Sequence, residues 1–203
     1  MAMQPINLTS GMRANLVSLQ NTNSLLELTQ KRLSSGKKVN SSLDDPVAYY
    51  TAKAHEQRAT DLSARKDEMS ESIQMVKAAD AGIESIRSLI AAAKSLATAA
   101  LSSDSTSEIQ SLSAQYNTVR QQIGEMADDS GYKGVNLLKS GTTTVKFDEL
   151  GTSKLTLTGF DASATDGLSI TASTWADPSA TTKTAIETDI GLLDTAVGTL
   201  RTE

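Results

Sequence analysis

One stretch of this chain restricts its fold more than any other. After Pro46 there is no proline, and only one glycine (Gly82), until about residue 103. Apolar side chains within it recur every seven residues, with a companion three residues later, which is the spacing of a coiled coil. The first set is Leu62, Met69, Val76, Ile83, Ile90 and Ala97, and the companions are Ala79, Ile86, Ala93 and Ala100. The pattern predicts one helix of about 55 residues, roughly 85 Å long.

Three further segments have a helical period. The first is predicted to begin at Thr9 or Ser10, which can cap a helix, and to end at Gly36. Its apolar stripe is weak because Asn23 and Gln30 interrupt it. The stripe consists of Met12, Leu19, Leu26 and Leu33, with Leu16 beside it; the third helix has Ile109, Leu112, Tyr116, Val119, Ile123 and Met126, and the fourth has Ile186, Ile190, Leu193, Val197 and Leu200.

Polar segments separate these helices. Residues 37–45 are predicted to form a connector, with Asp45 as N-cap and Pro46 as the first residue of the long helix. Ser105 and Glu108 match a capping box for the third helix, and Asp177-Pro178 is predicted to begin the fourth.

Between the third and fourth helices the period changes to two. Alternating apolar residues predict a small β-hairpin or meander at about 142–172. The alternating pairs are Val145 with Phe147, Leu155 with Leu157, and Leu168 with Ile170. The predicted fold is therefore mainly α, an elongated coiled-coil rod with a small hairpin, in two domains (1–45 and 46–203).

Composition argues against several classes of function. The net charge is −5, with 19 basic and 24 acidic residues, so a basic surface for nucleic acid is not expected. The chain has no cysteine, and its one histidine (His55) is interpreted as a surface residue. We expect no metal site, no cofactor and no catalytic set, hence no enzyme. No apolar run is long enough for membrane insertion, and the first twenty residues show no Sec-type signal peptide.

The apolar stripe of the long helix exceeds what the chain can cover. The third and fourth helices together supply about 45 residues against it. The fourth pattern continues to Glu203 without a cap, so we expect a missing C-terminal helix. Uncovered stripes favour association with further copies of the chain. Ile83→Asp or Ile90→Asp is then expected to abolish a polymer.

Two motifs resemble the bacterial flagellin family. Leu33-Ser34-Ser35-Gly36-Lys37-Lys38-Val39-Asn40-Ser41, with Asp44-Asp45-Pro46, is similar to the family's N-terminal signature. Gly131-Tyr132-Lys133-Gly134-Val135-Asn136-Leu137-Leu138 is similar to its "F-N-G-V-N-L-L" run, and Ile6-Asn7 with Asn21-Thr22-Asn23 also fits. Tyr49-Tyr50-Thr51-Ala52 and the short 139–177 loop suggest the short alphaproteobacterial type.

The resemblance implies a structural subunit of the bacterial flagellar filament, used for motility. Residues 1–45 would belong to the inner core of the filament, and 46–203 to an outer rod. It also implies secretion to the extracellular flagellum through the flagellar type III export apparatus with an export chaperone, and contacts with the filament cap and hook-junction proteins. Many enteric flagellins carry an "L-Q-R-V-R-E-L-A" run that a Toll-like receptor binds. Here Ala92 and Ser95 replace its first Arg and its Glu, so weak receptor stimulation is expected.

Two alternatives remain open at the level of sequence. A hook–filament junction protein shares the "S-S-G-K…D-D-P" signature, and Pro46 favours it. A cytoplasmic signalling coiled coil would also use long helices, but would require a membrane anchor or a sensor.

Overall fold

The computed structural model describes residues 9–202, so the Ile6-Asn7 match lies outside the described residues. Four helices account for most of this range: α1 (Ser10–Ser35), α2 (Pro46–Ser102), α3 (Thr106–Asp129) and α4 (Ala180–Thr202). Two strands, β1 (Thr142–Lys146) and β2 (Lys154–Thr158), form an antiparallel pair. The mainly helical class with a small hairpin agrees with the prediction. The chain divides into two compact units, Met1–Asp61 and Leu62–Glu203, which are described separately.

The first unit contains α1, the connector and the start of α2. The Thr9 side chain accepts a hydrogen bond from the Met12 amide (3.4 Å), and Gly36 ends α1 in the left-handed conformation (φ 68°). The α2 helix begins at Pro46. Proline lacks an N–H, which costs nothing here because the N–H of a first helical residue has no acceptor within the helix. None of the residues of α1 is buried.

The second unit has a continuous apolar core. In α2 the buried residues begin at Met75 and include Ile86, Ile90 and the small residues Ala93, Ala97 and Ala100. Two ion pairs show that α4 runs antiparallel to α2, because Lys94 pairs with Asp194 (2.5 Å) whereas Asp104, just after α2, pairs with Lys183 (3.1 Å).

An irregular segment, residues 163–176, lies along α3. Arg120 donates to Thr165, Asn117 bonds the backbone of Ser173, and Gln110 donates to the Ala176 carbonyl, all within 3.1 Å. Trp175 at the end of this segment is 3% exposed, and its ring packs against Tyr116 with a centroid distance of 4.8 Å.

The hairpin pairs Thr142 with Thr158 and Lys146 with Lys154. The prediction of a strand at the third alternating pair, Leu168 with Ile170, is wrong. Leu168 and Ile170, both described, are buried at 3% and 0% exposure but lie in no strand. Their amides donate to carbonyls of Ser163 and Ala164 in the same segment, so the backbone satisfies its hydrogen bonds locally.

Two predicted helix starts also need correction. Ser105 is the N-cap of α3, but its side chain makes no capping hydrogen bond. Glu108 instead accepts a hydrogen bond from Ser103 Oγ (2.8 Å), which prevents it from completing the capping box. The fourth helix starts at Ala180 rather than at Pro178, because Ser179 Oγ accepts from the Thr182 amide (3.3 Å) while Asp177 binds the Ser179 amide (3.0 Å).

Candidate assembly surfaces

The residues of the predicted stripes divide into covered and uncovered sets. The covered set binds the helices of the second unit to one another. Buried are Ile86, Ile90, Ile109, Ile123, Ile186, Leu193 and Leu200; partly buried against the same core are Ile83, Leu112, Val119, Ile190 and Val197. Ile90 is 1% exposed, so Ile90→Asp would disrupt the fold of the chain itself and cannot isolate a contact between copies.

The uncovered set lies on α1 and on the first part of α2 within the second unit. Met12, Leu19, Leu26 and Leu33 are 59%, 71%, 51% and 84% exposed. Because they repeat every seven residues, they share one side of α1. Met69 and Val76 are 36% and 44% exposed on α2.

The α1 helix has a second apolar side that the sequence analysis missed. Val17 and Leu25 are 53% and 64% exposed, and with Ala14 they line a shallow groove. Residues 14, 17, 21 and 25 are spaced by three and four, which places them together on a helix. The angular separation from Met12 puts this groove on the other side of α1. Asn21 in the middle weakened the pattern in the sequence.

Exposed apolar residues also flank the connector. Leu43, Val47 and Tyr50 are 93%, 78% and 64% exposed, all in the first unit. Their spacing follows no helical period, so the sequence pattern does not predict them as a contact surface.

Hydrogen bonds at the connector fix the turn into α2. Asp44 accepts the amides of Asn40 (2.9 Å) and Ser41 (3.1 Å), and these bonds lower the pKa of its carboxyl, as do the nearby charges of Lys31 and Arg32. Asp45 accepts the Ala48 amide (3.1 Å), as an N-cap does. Gly36, Asp45 and Pro46 therefore act on the backbone, and the Asp44-Asp45 pair is occupied by amide donors.

The second motif joins the end of α3 to α2. Asn136 Nδ2 donates to the carbonyls of Ala127 (2.7 Å) and Asp128 (3.0 Å), which satisfies orphan carbonyls at the end of α3. Leu137 and Leu138 then enter the core at 9% and 1% exposure. Gly82 of α2 lies against Ser130 and Leu138. The motif is structural, since its residues position α3 and supply core side chains.

The described residues offer little for metal or membrane chemistry. No group of three or more His, Cys, Asp or Glu residues within residues 9–202 is arranged to hold a metal ion. Over the same range, no helix combines the length and the apolarity that a membrane crossing requires.

Comparisons with known proteins identify the family to which this sequence and fold are similar. Residues 6–144 match a family model described as the bacterial flagellin N-terminal helical region. Flagellins FljO and FljM of Caulobacter vibrioides are each 31% identical over 201 residues, which is 98% of this chain and 72% of theirs. The flagellin of Listeria monocytogenes is 27% identical over 126 residues, 62% of this chain and 44% of its own. The crystal structure of Bacillus cereus flagellin has a similar fold (TM-score 0.52, 21% identity, 68% of this chain and 77% of that chain).

Proposed function

This chain belongs to the bacterial flagellin family, and from that premise we propose that its uncovered apolar stripes are the contacts through which copies assemble. It is a structural subunit of the bacterial flagellar filament, and the family assembles into filaments of many copies. The proposal concerns which residues make those contacts: the two sides of α1, and Met69 and Val76 of α2.

The observation that carries the proposal is the exposure of α1. Its four stripe residues are at least half exposed, yet they keep a heptad spacing that a solvated helix does not need. Full burial of a leucine is worth about 1.5–3 kcal/mol, less the cost of association. Burial of the four apolar side chains of the stripe would contribute about 6–12 kcal/mol before that cost is subtracted.

Two apolar sides on one helix support contacts with more than one neighbour. A helix that is apolar on one side only can be satisfied by one partner. The stripe of Met12 and the groove of Val17 and Leu25 face different directions. We assign them to two different neighbouring helices of the polymer.

The export route and the other partners are part of the same proposal. We propose that the chain is secreted through the flagellar type III export apparatus with an export chaperone, and that it meets the filament cap and hook-junction proteins outside the cell. The resemblance of the two motifs to flagellins supports this. The hook–filament junction alternative and the signalling coiled coil are not favoured, because the similar proteins named above are flagellins.

The test is a charge placed on the α1 stripe. Leu19→Asp and Leu26→Asp each put a carboxylate where a neighbouring copy would bury it, which costs several kcal/mol. We expect the critical concentration for polymerisation, measured by sedimentation and electron microscopy, to rise at least about tenfold.

Leu150→Asp is the matched control, since Leu150 is 81% exposed in the second unit and lies outside both stripes. All three variants should keep the circular dichroism of the parent, because the three side chains are exposed in the single chain. Filaments that form at the parent's critical concentration from Leu19→Asp and Leu26→Asp would contradict the assignment of α1.

A further inference from the structure

The buried side of α4 repeats almost without change every seven residues. Ile186, Leu193 and Leu200 occupy one heptad position, all buried, and Ile190 and Val197 occupy the next. Ile and Leu have the same volume, and Val is only one methylene smaller. A shift of α4 by one heptad would therefore exchange apolar side chains for similar ones, so packing alone distinguishes the registers poorly.

One position breaks this repeat. Asp189 is 7% exposed, and Ala196, seven residues later, is 0% exposed. The buried side of α4 thus has a carboxylate in one heptad and a methyl group in the next.

The Asp189 carboxylate has two donors from the irregular segment. Thr171 Oγ1 donates to Oδ1 (2.8 Å), and the indole nitrogen of Trp175 donates to Oδ2 (2.8 Å). Trp175 is itself held in the core against Tyr116. Trp175 is therefore fixed in place relative to α3, and Thr171 lies four residues before it in the same segment.

The ion pairs of α4 do not distinguish the registers to the same extent. Lys94 pairs with Asp194, but Glu187 lies one heptad earlier and could make a similar pair. The Lys183–Asp104 pair involves an aspartate side chain that is 88% exposed, and such pairs contribute little.

We propose that Asp189 is the residue that fixes the register of α4 against the rest of the second unit, through its hydrogen bonds to Thr171 and Trp175. In a shifted helix the carboxylate would move to the place of Ala196 or out of the core, away from both donors. Because a buried carboxylate without donors is costly, the shifted register should be populated on the order of a hundredfold less than the observed one. A single buried polar residue is a known means of setting register between helices.

This inference goes beyond assembly, since it concerns how the subunit folds before any contact with another copy. A shift by one heptad keeps the same side of α4 outward but moves it by about 10 Å along α2. The register fixed by Asp189 therefore sets where the exposed residues of α4 lie on the surface of each subunit.

Cross-linking in the full chain tests the proposal, and the absence of cysteine gives a clean background. Lys94→Cys with Asp194→Cys reports the observed register, and Lys94→Cys with Arg201→Cys reports a shift of one heptad. The informative variant is Asp189→Ala with Ala196→Asp, which moves the carboxylate by seven residues and keeps the composition. A short bifunctional maleimide measures the yield of each pair.

We expect the ratio of the 94–201 yield to the 94–194 yield to rise by about tenfold or more in the transposed variant, since the carboxylate then finds Trp175 only in the shifted register. Glu125→Ala, which removes an exposed carboxylate from α3, should leave the ratio of the parent unchanged. A transposed variant with the helical circular dichroism and the cross-linking ratio of the parent would overturn the proposal.

Asp189→Ala alone covers the case in which the transposed variant does not fold. It makes positions 189 and 196 identical, so we expect the 94–187 pair (Lys94→Cys with Glu187→Cys) and the 94–201 pair to gain yield at the expense of 94–194. An unchanged ratio in this variant also refutes the register role. None of these measurements depends on filament formation, so they stand apart from the test of α1.

Discussion

Gly82 is the position where α2 has no room for a side chain. A Cβ built there would lie 2.2 Å from Ser130 Oγ, 2.7 Å from Ser130 Cβ and 2.8 Å from Leu138 Cδ1. Neither neighbour can move freely, because Ser130 Oγ donates to the Met126 carbonyl (2.6 Å) and Leu138 is 1% exposed. Gly82→Ala therefore forces the 130–138 segment away from α2.

Two opposing effects decide the size of the change. Overpacking of a filled core costs about 1–3 kcal/mol, and contacts of 2.2–2.8 Å place this change in the upper part of that range, about 2–3 kcal/mol. Replacing a helical glycine by alanine recovers about 1 kcal/mol of helix propensity. The net expectation is a loss of about 1–2 kcal/mol in the free energy of unfolding, or roughly 2–8 °C in melting temperature for a unit of this size.

Thermal and urea unfolding followed by circular dichroism at 222 nm measure this loss. Gly124→Ala and Gly191→Ala are matched controls, since both glycines are helical and a Cβ at either would meet nothing within 4 Å. We expect these controls to gain about 0.5–1 kcal/mol. If Gly82→Ala is as stable as the parent, the packing of the 130–138 segment on α2 is not as described.

Four further predictions concern Tyr116, Gly36, and the pair Ala92 and Ser95. Burial raises the pKa of Tyr116, and the charge of Asp189 raises it further. Because the unfolded chain then loses this proton first, the free energy of unfolding should fall above the unfolded tyrosine pKa of 10.0. Tyr116→Phe should remove this alkaline loss, as measured by unfolding at a series of pH values. Because its hydroxyl is buried without a partner, the same variant should also be more stable by about 1 kcal/mol at pH 7, and a less stable variant would contradict this. Gly36→Ala should destabilise the end of α1 by about 1 kcal/mol, seen as faster amide exchange there, because φ is 68°. With Ala92 and Ser95 on the exposed side of α2, a Toll-like flagellin receptor reporter should respond weakly, and a response equal to that of an enteric flagellin would refute the expectation.

Local signals in the sequence predicted the helices well and the capping details less well. Pro46 and Gly36 mark ends that the structure places within a residue, because backbone chemistry at proline and glycine acts on neighbouring residues alone. The capping box at Ser105 was wrong because a nearby hydroxyl, that of Ser103, competes for Glu108. Leu168 and Ile170 alternate because the chain passes over the core, and alternation does not require a strand.

Asp189 shows a limit of a different kind. Within an apolar heptad pattern a single aspartate only interrupts the pattern, so the sequence does not indicate that this aspartate is buried or what it contacts. Its role depends on Thr171 and Trp175, which precede it by 18 and 14 residues in an irregular segment without a period. Only the folded arrangement brings these donors to it.

The long stripe of α2 explains why periodicity alone does not locate the assembly surface. Leu62, Met69 and Val76 are 44%, 36% and 44% exposed, whereas Ile90 and Ala97 in the same heptad position are 1% and 0% exposed. The register is continuous, but α3, α4 and the segment between them cover only its later part. A heptad pattern states that a stripe is to be buried and contains no information on whether the partner is the same chain or another. Coverage by the chain's own helices supplies that information, and it separates the residues that fold the subunit from those we assign to its neighbours.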